Sequence, residues 1–171
     1  MLRRSGVVAF VAFAPYVAHA GPLEIEAGPT AVLLDMPHAP NDSFVGGAIT
    51  ATLQPDARAP IGVRLHASVG RDAAGIRSLG LAMRSRMGNL VIDTGVGIAS
   101  VVGVLDDDAM SEAFRPRGIG LALDVRVGYV LGPVVVAAFA LPAWVFASDG
   151  AEREADLRTA VEAGISIGRA L

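Results

Sequence analysis

Residues 118–129 read Gly118-Ile119-Gly120-Leu121-Ala122-Leu123-Asp124-Val125-Arg126-Val127-Gly128-Tyr129. Over 117–130, Ile119, Leu121, Leu123, Val125, Val127 and Tyr129 fall on one face, and Gly118, Gly120, Ala122, Asp124, Arg126 and Gly128 on the other. A period of two is the signature of a strand, because successive side chains point to opposite sides of a pleated backbone. A helix would scatter the two sets around its circumference, and a strand buried on both faces would not carry Asp124 and Arg126. The segment is a strand between two unlike environments.

The same rule applied outward predicts about seven more strands. A first places Leu23, Ile25, Ala27, Ala31 and Leu33 against Glu24, Glu26, Gly28 and Thr30. The second, about 44–54, sets Val45, Ile49, Ala51 and Leu53 against Gly46, Ala48, Thr50 and Thr52. The third, about 60–70, sets Ile61, Val63, Leu65 and Val69 against Gly62, Arg64, His66 and Ser68. The fourth, about 75–87, opposes Leu79, Leu81, Met83 and Met87 to Gly80, Ala82, Arg84 and Arg86; the fifth, about 89–102, opposes Leu90, Ile92, Val96, Ile98 and Val102 to Asp93, Gly95, Gly97 and Ala99. An eighth, about 157–171, opposes Leu157, Val161, Ile165, Ile167 and Leu171 to Glu162, Gly164, Ser166 and Gly168. The seventh, about 133–147, has no polar face: Val134, Val136, Trp144 and Phe146 alternate with Val135, Phe139, Leu141 and Val145. A two-residue turn at Leu131-Gly132 would align Val134 with Tyr129 and put Trp144 on the outer side.

Ahead of these strands, Arg3 and Arg4, an apolar stretch from Gly6 to Val17, and Ala18-His19-Ala20 form an export signal, so residues 1–20 are expected to be removed and the barrel domain to occupy 21–171. Loss of Arg3 and Arg4 takes the formal net charge from −3 to −5, and no basic nucleic-acid surface is present. There is no cysteine, so disulfides play no part. The apolar share is 53%, above the usual share of soluble domains, yet beyond the signal no run is long enough for a membrane helix. Membrane affinity without membrane helices points to an all-β, eight-stranded antiparallel up-and-down barrel.

Loop lengths add a second regularity. Connections after even strands are short, with Gly88-Asn89 and Leu131-Gly132 as hairpin turns and 55–60 somewhat longer; those after odd strands, at 35–43, 103–116 and 148–156, are longer and polar, with 71–74 the short exception. Outer-membrane barrels pair short periplasmic turns with long external loops in this way. A lipocalin-like soluble barrel also alternates, but with its apolar face inward around a ligand. The polar face here consists of Gly, Ala, Ser and Thr with a few charges of both signs, which suits the cramped lumen of a small barrel better than a wetted exterior. The expected luminal charge network is Glu24, Glu26, Asp93, Asp124 and Glu162 with Arg64, His66, Arg84, Arg86 and Arg126. Paired, these charges plug the lumen; partly unpaired, they line a narrow path for ions. On the apolar face Arg77, Arg117 and Arg169 fall only near strand ends, and Phe44, Trp144, Phe146 and Tyr129 form a thin aromatic girdle.

With its strand count, its loop asymmetry and stretches such as 118–129, the chain resembles the small OmpA/OmpX-like outer-membrane barrels over about residues 22–171. The resemblance implies a Gram-negative outer-membrane location, contact with membrane lipid and insertion by the barrel-assembly machinery. Such barrels usually end in Phe, whereas Leu171 closes this sequence with Arg169 two places earlier. No peptidoglycan-binding domain follows, so wall anchoring is not implied.

Two constellations have chemical potential. His66-Ala67-Ser68 echoes the His-x-Ser pair of lipid A deacylases, with Glu24, Glu26 or Asp93 available to orient the base, but on a luminal face it meets no lipid. Asp106, Asp107, Asp108 and Glu112, with Asp149, Glu152, Glu154 and Asp156, form acidic loops able to collect divalent cations, and His38 lies between Asp35 and Asp42; none matches a metal-loop spacing. The sequence therefore implies no cofactor and a non-enzymatic barrel.

Overall fold

The computed structural model describes residues 23–36, 39–54, 60–103, 116–148 and 155–170. The expected signal, the acidic residues at 106–108, 112, 149, 152 and 154, His38 and Leu171 lie outside them. Eight strands close into a barrel in chain order: β1 (Leu23–Met36), β2 (Ala39–Leu53), β3 (Ile61–Val69), β4 (Gly75–Met87), β5 (Leu90–Val102), β6 (Arg117–Leu131), β7 (Val134–Ser148) and β8 (Asp156–Ala170). Every neighbouring pair is antiparallel, and β1 pairs with β8 to close the ring. Closure leaves no strand edge, so the wall satisfies its backbone strand to strand around the ring, without water.

The alternation becomes an inside and an outside. Large hydrophobic side chains stand exposed on all eight strands, among them Ile25, Val45, Leu65, Leu81, Ile98, Leu121, Trp144 and Ile165. Most of the large apolar side chains thus point outward, the reverse of a soluble carrier built around an apolar ligand.

Several boundaries differ from the sequence reading. The polar stretch 35–43 is not a loop: β1 runs to Met36 and β2 begins at Ala39, with a register shift between Leu34 and Met36. The last hairpin turn is Gly132-Pro133, since Leu131 pairs with Val134 and Tyr129 with Val136. That register is two residues away from the expected one, and a shift of two preserves the faces, so Trp144 does point outward. Gly88 and Gly132 each hold φ +62 at the first turn position, where any side chain would be strained. Phe44 leaves the expected girdle: it is buried inside, packed so closely over Gly70 that a Cβ there would lie 2.0 Å from its ring.

Two rungs of the wall are interrupted. Pairing lapses between Ala27↔Ile167 and Thr30↔Gly164 on the β1–β8 seam, and between Ala122↔Ala143 and Val125↔Ala140 on the β6–β7 seam. Pro29 and Pro142 sit in these gaps, and proline has no N–H to give a ladder.

Candidate functional site: the barrel lumen

The lumen has two parts. Toward the short turns it is polar. Arg84 donates from Nε and Nη2 to the two oxygens of Asp93, both at 2.8 Å, and from Nη1 and Nη2 to the two oxygens of Glu24, at 2.9 and 2.7 Å. Arg64 crosses from β3 to reach Asp93 on β5 and Asp124 on β6, the latter at 2.9 Å, while its Nε donates to Thr52 at 2.9 Å. It crosses where the neighbouring wall has no side chains. Gly80 is its cross-strand partner and Gly97 the next one along, and a Cβ on Gly80 would lie 2.5 Å from the Val96 carbonyl oxygen and 2.7 Å from the Gly97 Cα. Arg64, Gly80, Gly95, Gly97 and Asp124 are among the residues that line a small cavity here.

A second knot joins Arg126 to Glu26, with Ser166 donating to the same carboxylate. Arg126 also donates to Thr50 at 3.1 Å and lies 5.2 Å from the centre of the Phe139 ring. Thr50 leads on to a third knot, since its hydroxyl is 2.9 Å from His66 Nδ1. When Thr50 donates there, the other ring nitrogen carries the proton, and Nε2 lies 3.2 Å from Glu162. Thr30 and Ser68 donate to the two oxygens of Glu162 at 2.8 and 2.7 Å. The edge of the His66 ring meets Phe139, with centroids 5.5 Å apart.

Toward the long-loop end the lining turns apolar. Val32, Leu34, Met36, Phe44, Ile76, Val101, Leu141 and Val145 form one buried cluster with a set of alanines. Glu162 marks the border, because its cross-strand neighbours are Val32 and Leu141.

Nine of the ten expected luminal residues meet partners inside. Arg86 does not: it is exposed at the short-turn mouth, where its Nε donates to the Gly88 carbonyl at 2.9 Å. Alternation fixes a face, and Arg86 has the right face one step beyond the packed interior. The expected network therefore sets, inside the lumen, five carboxylates against three guanidinium groups and one imidazole, not against four arginines. The acid beside His66 and Ser68 is Glu162, not Glu24, Glu26 or Asp93. It stands between them: the Ser68 hydroxyl donates to the carboxylate rather than to the imidazole, whereas an activated nucleophile needs its proton taken by the base. Among the described residues no three His, Asp or Glu side chains converge as metal ligands. Sequence reasoning missed the apolar half of the lining, whose one signal was a seventh strand without a polar face.

A closed antiparallel barrel with an apolar exterior and a packed, partly charged interior defines the class of small transmembrane barrels. Among solved structures, the chain is similar to the Neisserial surface protein A (NspA), with TM-score 0.62 and 12% identity over 87% of this chain and 97% of that one. It is also similar to the outer membrane protein OprG from Pseudomonas aeruginosa, with TM-score 0.53 and 18% identity over 89% and 96%. The likeness is one of fold. No protein-family model matches the sequence, and no curated protein does.

Proposed function

We propose that this protein is a non-enzymatic barrel of a Gram-negative outer membrane, exported by its signal and inserted by the barrel-assembly machinery, whose lumen is closed and whose loops carry envelope or surface contacts. The observation that carries the reading is the exterior: large apolar side chains exposed on every strand of a ring without edges. Such a surface is an aggregation hazard in water and a match for hydrocarbon. The strands support it, being 9 to 15 residues long against the roughly 9–11 that a tilted strand needs to cross a bilayer.

Closure is favoured by two features in series. The charges are tied to one another across the lumen by Arg64 and Arg84, and above them an apolar plug offers an ion nothing to replace its hydration shell. Envelope fractionation is the first test: the protein is expected in the outer membrane, with the folded form migrating faster than the boiled form on a gel. Recovery only as soluble periplasmic protein would overturn the location. Refolded protein in planar bilayers is expected to give no steady single-channel currents, and steady currents would overturn the closed lumen while leaving the barrel intact. Replacement of His66 or Ser68 is expected to leave lipid A unchanged; a changed lipid A would restore an enzymatic reading.

A further inference from the structure

Among the described residues few charges lie on the outer face of the barrel wall, and two of them share one place. Arg77 is the third residue of β4 and Arg117 the first of β6, so both are exposed at the long-loop rim of the wall, on the side that faces lipid. Among the described residues neither side chain has a hydrogen bond or an ion pair. The rest of their surroundings is equally specific. Ser100 on β5 is the direct cross-strand partner of Arg77, Ile119 is the partner of Ser100, and Arg117 lies two residues before Ile119 on β6. Spacings of about 4.8 Å between strands and 3.3 Å per residue put the two arginine Cα atoms roughly 12 Å apart. The two guanidinium-bearing residues therefore stand on the strands either side of Ser100 at the rim, with exposed Leu79, Ile98 and Leu121 below and Trp144 beside Leu121.

Length alone would let each arginine reach the interface, and that explains why such a residue is tolerated. It does not explain two unpaired cations on one face of the outer rim. There a guanidinium meets lipid headgroups, and its planar fork matches the oxygens of a phosphate better than any other anion the bilayer offers. Charge above and a continuous apolar wall below select an amphiphile with anionic groups on a broad head and several acyl chains under it.

We propose that Arg77, Ser100 and Arg117 form a binding site for a phosphorylated outer-leaflet glycolipid, the lipid A portion of lipopolysaccharide, with the arginines on its phosphates and the β4–β6 wall against its acyl chains. This rests on the outer-membrane reading above and deepens it.

Native mass spectrometry of the refolded full barrel, with purified diphosphorylated lipid A as the probe, tests the site. The wild type is expected to retain the lipid, and the double variant Arg77→Ser/Arg117→Ser to retain it at least about tenfold less, since each lost charge-assisted contact weakens binding severalfold. Arg169→Ser, at the opposite rim, is expected to behave as wild type. Lipid A stripped of its phosphates should bind the wild type as poorly as the intact lipid binds the double variant. Equal retention by wild type and double variant, or equal binding of the stripped lipid, would overturn the proposal, and phosphatidylglycerol held as tightly as lipid A would overturn the choice of glycolipid. All three positions are exposed, so a heat-dependent gel shift is expected for every variant. A wild type without that shift would sink the membrane reading and this site with it, whereas the lipid outcomes bear on the site alone.

Discussion

The two halves of the lumen fill the same narrow space by opposite means. Near the short turns, long side chains span the cavity and are held by directed bonds: Arg64 and Arg84 between them touch Glu24, Asp93 and Asp124. Near the loops, short apolar side chains meet in the middle without a polar atom, Leu34, Ile76, Leu141 and Val145 among them. The first arrangement fails when one partner is lost, because an unpaired charge remains buried; the second fails in proportion to the volume removed. Glycines serve both halves: Gly70 and Gly118 make room for Phe44 and Val145 of the apolar cluster. In the polar half, bare wall at Gly80, Gly95 and Gly97 lies beside Arg64 and Asp124.

The sharpest way to break this contrast is Arg64→Met, which leaves Asp124 without its guanidinium while Asp93 keeps Arg84. It is expected to cost about 3–5 kcal/mol, read from urea unfolding of the refolded barrel in vesicles. Adding Asp124→Leu should return part of that loss; a double variant as unstable as the single one would refute the pairing. Leu34→Ala in the apolar half should cost about 2–4 kcal/mol by the same measurement, with no recovery from any second site that merely removes a charge. His66→Gln probes the border and is expected to cost only about 1 kcal/mol, since Thr30 and Ser68 still satisfy Glu162. Ala73→Gly is the calibration outside both halves. Ala73 has φ +61 in the connection after β3, and relief of that backbone strain should raise stability by up to about 1 kcal/mol.

How far the sequence could be read follows from the same contrast. The inner half was legible because charge and hydrophobicity alternate there: Glu24 and Glu26 on β1, Arg64 and His66 on β3, Asp124 and Arg126 on β6 all declare their face. In the outer half both sides of the wall are apolar and the period of two disappears. Val32, Leu34 and Met36 therefore gave no sign of lining a lumen, and Asp35 and Asn41 made a continuing strand look like a loop. β7 has the same ambiguity along its whole length, and only the pairing of Leu131 with Val134 fixes its turn. Glu162 was legible as luminal but not as the partner of His66, because β3 and β8 are not neighbours in the ring and the contact spans the cavity. Spacing along one strand cannot report a distance across a barrel.

The two proline gaps have a mechanical consequence. A closed wall of hydrogen bonds is a stiff hoop, and its compliance is set by its weakest lines. Pro29 and Pro142 put one such line on each side of the β7–β8 hairpin, which is itself paired without a break from Val134↔Arg169 to Ala147↔Asp156. Under lateral pressure from a bilayer that panel would move as a unit, and the hoop would give first along its two flanking lines, level with the charges it encloses.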